Sequence, residues 1–242
     1  MSSRIIALTL VGGTLAFALT GTMRAEGPSD TRKKDAVGDP CIQTAVDAIQ
    51  SRYASITDLR ANFRQITRSV ALGKQGPTMA SKGTVQFSKP GKMRWSYDHP
   101  EPSLVVSDGV TLWLYDATKR EAQKLAMGTE YFSAAGIHFL LGEGEILEDF
   151  RVSGQACNEK SLTLELEPLS PASYDKLKVL ADPKTGDLLQ TQVIDLFGNE
   201  TVIDFSHIEV DHGPPASVFE FVPPDGVRVI ELGGGKWSEG LR

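Results

Sequence analysis

Two Asp-His pairs, Asp98-His99 and Asp211-His212, are the residues of this chain best suited by type to move a proton. A carboxylate that orients an imidazole is a common support for a general base. Adjacent strand residues, however, point to opposite faces. Each pair also stands beside Pro or Gly, where an Asp bonds to nearby backbone in a turn. Both pairs therefore read as solvated turn residues, and a secreted hydrolase would need His99 or His212 to be essential. His138 lies in an apolar segment and reads as a helix-surface histidine. Glu143, Glu145, Glu148 and Asp149 lack the ligand spacing of a calcium loop and read as a solvated acidic loop. The motifs G-x-S-x-G and H-E-x-x-H and a phosphate-cradling Gly-rich loop are absent. The expectation is a protein that is not an enzyme, with no catalytic residue, no cofactor and no metal.

Cys41 and Cys157 are the only cysteines. They have neither redox nor metal-ligand spacing, and an exported protein could pair them. Closing a loop of about a hundred residues stabilises by roughly 4 kcal/mol in the chain-entropy account. Export is the expectation from the N-terminus. Arg4 precedes an apolar run from Ile5 to Leu19, too short for a comfortable membrane span and laid out like a secretory signal. Ala16-Phe17-Ala18 offers a cleavage site and Met23-Arg24-Ala25 a poorer one. No cysteine stands just after the run, which argues against a lipidated N-terminus. The net charge of -6 over 242 residues argues against nucleic acid as a partner, because such binders carry a basic stripe.

The elements come from periodicity. Residues 1–25 read as the signal peptide and 26–39 as a flexible linker. Asp39-Pro40 looks like a helix start, and Ile42, Ala45, Val46, Ile49 and Tyr53 form one stripe ending near Ser55. From Leu59 the period falls to two, with Leu59, Ala61 and Phe63 on one side of a first strand. Residues 74–82 read as a loop. Glu121–Ala126 reads as a strand and Thr129–Leu141 as helix or helical turns. From Phe150 onward the chain is almost all strand, with Lys176 and Lys178 on a wet strand face. The tail 233–242 looks loose. Roughly ten strands joined by hairpins predict an antiparallel sheet curved into a barrel or half-barrel, with two or three helices covering it.

The stretch from Gly83 to Asp116 carries more apolar surface than such a sheet should expose. Val85 and Phe87, then Met93, Trp95 and Tyr97, take alternate positions, and Pro90-Gly91 marks a bend between them. Asp108-Gly109 signals a hairpin. In its second arm both faces are bulky, Leu112 and Leu114 on one and Trp113 and Tyr115 on the other. Something apolar must cover each side, a helix or a greasy ligand.

The run Gly83-x-x-x-Phe87-x-Lys89-Pro90-Gly91-Lys92-Met93-Arg94-Trp95-x-Tyr97-x-x-Pro100, then Ser107-Asp108-Gly109 and Leu112-Trp113-x-Tyr115, resembles the periplasmic outer-membrane lipoprotein carrier (LolA) family. Phe63-x-Gln65 upstream and Phe219-x-Phe221-x-Pro223-Pro224-x-Gly226-Val227 downstream extend the resemblance over about Cys41 to Leu232, so residues 40–232 are expected to form the carrier domain. The resemblance implies a mainly β (α+β) fold: an unclosed, strongly curved antiparallel β-barrel with helices forming a lid over an apolar cavity. It implies a monomeric periplasmic chaperone that takes triacylated lipoproteins from an inner-membrane lipoprotein-releasing ABC transporter to an outer-membrane receptor. Phe63, Phe87, Met93, Trp95, Tyr97, Leu112, Leu114, Phe132 and Phe139 are then the residues expected to meet acyl chains. Family members often hold the lid with an Arg just before the bending Pro. This chain has Lys89 there, which donates three hydrogen bonds without the planar fork of Arg. The alternative on the same fold is a periplasmic lipid or lipoprotein sensor acting as a regulator.

Overall fold

The apolar stripe from Ile42 to Tyr53 folds as α1 (Pro40–Ser55), and all five of its members are buried. The structure, a computed structural model, describes residues 40–73, 78–126, 144–158 and 161–232. The expected signal peptide, the linker, the tail and the segment Thr129–Leu141, with His138, Phe132 and Phe139, lie outside them.

Twelve strands come after α1: β1 (Asp58–Arg68), β2 (Met79–Ser88), β3 (Lys92–His99), β4 (Ser103–Asp108), β5 (Thr111–Asp116), β6 (Glu121–Ala126), β7 (Phe150–Asn158), β8 (Ser161–Pro168), β9 (Tyr174–Ala181), β10 (Leu188–Asp195), β11 (Glu200–Val210) and β12 (Arg228–Leu232). A one-turn helix, α2 (Ile146–Asp149), leads into β7. All strands belong to one sheet, in the order β12-β6-β5-β4-β3-β2-β1-β11-β10-β9-β8-β7. Neighbours run antiparallel except β12, which lies parallel on β6. β7 and β12 are the two ends and do not pair, so the sheet is unclosed, as expected. A single core cluster joins α1 to side chains from β1, β2, β3, β5, β6 and β7 through β10, because a sheet this wide curls around its cover rather than staying flat.

The register explains where the apolar excess goes. On the concave side one row crosses the sheet through Val85, Trp95, Val105 and Leu114, and another through Leu59, Phe87, Met93, Ser107 and Leu112. On the convex side the row is Gln86, Arg94, Val106, Trp113 and Lys124. Three expectations need correction. Residues 79–82 are not loop but the start of β2, paired with β1 from Thr67↔Met79 onward. Asp98 and His99 do not sit in a turn; they are the exposed last residues of β3. The strands number twelve among the described residues rather than ten, chiefly because β12 is short and its partner β6 lies far back in the chain.

Candidate functional site

The concave face is built from alternate residues of the central strands. Phe63, Phe87, Met93, Trp95 and Leu112 are buried in the core, and Tyr97 and Leu114 pack against it half-buried. Seven of the nine expected residues are thus on one face. Phe63 stands at its centre, with the ring of Trp95 4.9 Å away and that of Tyr97 also at 4.9 Å, both edge-on. Phe87 and Phe205 flank Trp95 at 5.9 and 6.3 Å. Phe63 and Tyr97 meet across β2 because Gly83 lies between them in register. A Cβ at Gly83 would fall 1.8 Å from the Ser96 carbonyl oxygen, so no other residue fits there without moving backbone.

Phe205 and Ile208 belong to this face and escape simple alternation. They are three residues apart, but a bulge opposite Arg60 and Asn62, with His207 at φ 53°, inserts the extra residue that turns both inward. Together with Tyr53, Leu59, Ala61, Phe87 and Leu188 they line a cavity of about 10 Å³. That is room for about one water, against roughly 300–1,000 Å³ for an ordinary ligand pocket.

Among the described residues α1 packs along β7 and β8, its last turn reaches the concave face through Tyr53, and polar contacts hold that end. Lys89 Nζ donates to the carbonyl oxygens of Tyr53 and Ala54, the latter at 3.3 Å, in the last turn of the helix. Those carbonyls have no intrahelical donor, and a cation there also meets the negative end of the helix dipole. Arg52 donates through Nε to Asp187 in the β9–β10 turn at 2.7 Å, and the Tyr53 hydroxyl accepts the Leu188 N–H at 3.1 Å. Burial pushes the Tyr53 phenol well above its ordinary range. At the other end Ile42 rests on Gly154 of β7. Cys41 in the first turn is disulfide-bonded, and the only other cysteine is Cys157, in β7.

Lys89 is itself braced. The Ser107 hydroxyl, buried, donates to the Gly91 carbonyl at 3.2 Å and accepts the Gly109 N–H at 3.0 Å. Asp108 accepts the N–H groups of Val110 and Thr111 at 2.8 and 2.7 Å, and the Thr111 N–H above all holds its carboxyl below the usual range. Pro90-Gly91 and Ser107-Asp108-Gly109 are therefore one clasp between two turns, with Lys89 at its edge. A second clasp ties the chain after α1 to the end of β11. Asp58 is buried and accepts from the His212 and Gly213 N–H groups at 2.9 and 3.1 Å. Asp211 accepts from the Thr57 N–H and hydroxyl, which lowers its carboxyl.

The convex side is covered differently. Phe219 is buried against β3 and β4, and Phe221 lies 5.5 Å from Trp113 and 5.2 Å from Tyr115. Arg94 points outward, as alternation predicts, and donates to the Val218 carbonyl at 3.0 Å. Farther along this side the expected wet face carries ion pairs, with Glu165 between Lys176 and Lys178.

The Asp-His pairs assemble no acid-base centre. His99 is exposed, Asp211 is engaged with Thr57, and His212 Nε2 is 4.0 Å from Glu209 on the surface. Among the described residues no three His, Cys, Asp or Glu side chains are grouped to hold a metal ion, and no helix is long and apolar enough to cross a membrane.

Residues 54–222 match the family model described as outer membrane lipoprotein carrier protein LolA. The outer-membrane lipoprotein carrier protein of Chromobacterium violaceum is 30% identical over 193 residues, 79% of this chain and 89% of its own. That of Bordetella avium is 31% identical over 196 residues, 78% and 88%. Among solved structures, a LolA-superfamily protein from Nitrosomonas europaea superposes with a TM-score of 0.43 at 10% identity, covering 74% of this chain and 97% of that one.

Proposed function

We propose, for a chain that belongs to the outer membrane lipoprotein carrier (LolA) family, that it receives lipoprotein acyl chains on the concave face between α1 and the aromatic cluster around Trp95. The observation that carries the reading is the kind of cover this face has. α1 is apolar toward the sheet, yet its C-terminal end is held by donors at the rim: Lys89, Arg52 and the Leu188 N–H.

The energetics suit a carrier. An acyl chain in water costs about 0.8 kcal/mol per CH₂, so a cargo with several chains cannot cross an aqueous space uncovered. Lifting α1 exposes apolar surface at about 25 cal/mol per Å², and an acyl chain laid in its place covers that surface again. The exchange of one apolar cover for another is nearly balanced. What differs is the rim contacts, worth about 0.5–1.5 kcal/mol per hydrogen bond and less for the partly exposed Arg52–Asp187 pair. Loading and release can both proceed because the gate is small compared with the cargo's transfer energy.

Phe63, Phe87, Met93, Trp95, Tyr97, Leu112 and Leu114 are the acyl contacts, with Phe132 and Phe139 joining them from the lid segment. Their edge-on rings and the Met thioether make adaptable contacts without a required direction. Lys89 is the lid latch. The work is non-covalent and periplasmic, cargo coming from an inner-membrane lipoprotein-releasing ABC transporter and passing to an outer-membrane receptor.

A photo-crosslinker at Trp95 in cells should capture lipoprotein, while one at exposed His99 should not. Capture at His99 alone would overturn the reading. Depletion and then membrane fractionation should leave lipoproteins on the wrong membrane; a change in signalling without mislocalisation would instead mark a sensor.

A further inference from the structure

Beyond Phe63 and Tyr97 the concave face becomes polar. The inward positions of β1 after Phe63 are Gln65 and Thr67, and Thr201 of β11 stands opposite Thr67 in register. All three are half-buried. Apolar side chains border them: Ile203 is the register partner of Gln65, Val193 that of Thr201, and both pack on the core. A single row of contacts joins the polar groups. The Tyr97 hydroxyl donates to Gln65 Oε1 at 3.1 Å. Gln65 Nε2 donates to Thr67 Oγ1 at 3.4 Å, and Thr67 Oγ1 is 3.4 Å from Thr201 Oγ1.

The row has donors to spare. Tyr97 occupies the Gln65 carbonyl oxygen, so the amide NH₂ turns toward Thr67, and one of its two N–H bonds has no acceptor among the described residues. The two threonine hydroxyls share one contact, which leaves one O–H of that pair over as well. Both contacts to Thr67 are long, and a better acceptor displaces them at small cost. The neighbours across β2 and β10, namely Ser81, Met79, Thr191 and Val193, carry no charge.

Given acyl chains on this face, as proposed above, we propose that the row Gln65, Thr67 and Thr201 holds the ester carbonyl oxygens that join those chains to glycerol. An apolar cover strips an ester carbonyl of water and returns no hydrogen bond. Spare neutral donors return it. An ester suits them because it accepts hydrogen bonds, donates none and is uncharged. A phosphate or carboxylate headgroup would be desolvated here without a cation beside it. The placement also orients the cargo. Leu59 and Thr67 are about 26 Å apart along β1 at 3.3 Å per residue, and Lys89, whose N–H donates to the Thr57 carbonyl, is at the Leu59 end. The hydrocarbon lies toward Lys89 along the aromatic cluster, and the glyceryl group, with the peptide attached, leaves at the Thr67 end.

The test compares two synthetic lipopeptides built on S-glyceryl cysteine, one with ester-linked acyl chains and the other with ether-linked alkyl chains of the same length. Each competes with a fluorescent fatty-acyl probe for the intact, disulfide-bonded protein. The ester form should bind about tenfold more tightly. T67V/T201V, which keeps the β-branched shape, and Q65M should each bring that ratio toward unity. The infrared band of an isotope-labelled ester carbonyl should move to lower frequency on binding wild type and move less with T67V/T201V. Measured on wild type alone, that shift keeps the test decisive should the variants fold poorly. Equal affinity of wild type for the two lipopeptides, an unshifted carbonyl band, or a ratio unchanged in both variants would overturn the assignment and leave the acyl site standing. Binding of neither lipopeptide would overturn both.

Discussion

The two faces of β5 are equally greasy and are covered by unlike means. On the convex face Trp113 and Tyr115 meet Phe221, in a segment that leads into β12, and β12 is bonded to β6 along its length. Phe219 beside it is fully buried. On the concave face Leu112 and Leu114 join a core to which, among the described residues, α1 also belongs, a helix laid on β7 and β8 and held at its C-terminal end by Lys89, Arg52 and Tyr53. One cover runs on into a strand of the sheet; the other is a helix laid on it. On the proposed reading the protein opens on one side and stays shut on the other, and the contrast can be broken at each cover in turn.

The largest effect is expected on the permanent side. Phe219→Ala should cost about 3–5 kcal/mol in urea unfolding, and the fraction still folded should crosslink cargo from Trp95 as before. Loss of cargo capture without loss of stability would erase the distinction between the faces. Next comes the fixed end of the concave cover. Cys41→Ser should lower stability by about 2–4 kcal/mol, and reductant should do the same to wild type and nothing to the variant.

The gate itself should be weaker. Lys89→Met should cost about 1 kcal/mol but speed amide hydrogen exchange in the last turn of α1, with exchange across β12 and β6 unchanged. Lys89→Arg should restore protection. Uniformly faster exchange would show that the latch supports the whole sheet rather than one end of α1.

Near neutral pH the smallest effect is that of titration, because the groups concerned change charge only at the alkaline and acid limbs. Burial raises the Tyr97 phenol to about 12, above the ordinary value near 10. The protonated form is the one favoured by folding, so its contribution is complete below about pH 10 and is lost as pH rises toward about 12. Tyr97→Phe should flatten that alkaline limb. At the acid limb Asp211 works the other way. Its lowered carboxyl contributes above the ordinary Asp range, and the contribution is lost as pH falls through its folded value; Asp211→Asn should flatten that limb.

Much of this contrast can be read from residues, and the unread part has physical causes. The bulk on both faces of Thr111–Asp116 announces two covers, because period two leaves no other place for Leu112 and Trp113. Which segments supply them is invisible locally, since Phe221 lies more than a hundred residues beyond Trp113. The seven described aromatic and aliphatic residues of the concave face obey alternation within regular strands. Phe205 and Ile208 do not, because the bulge at His207 resets the phase. Lys89 stands out by resemblance alone; nothing in a Lys-Pro-Gly turn says that a helix will end beside it.

The disulfide at Cys41 has a consequence for kinetics. A helix of sixteen residues is about 24 Å long, and one fastened at its first turn swings without leaving; a rotation of about 30° carries the far end roughly 12 Å. Its seat then competes for it at an effective concentration in the millimolar range, whatever the protein concentration. On the proposed reading, an emptied carrier built this way reseals by a unimolecular step, faster than two open molecules can meet, and so keeps its greasy interior from its neighbours between deliveries.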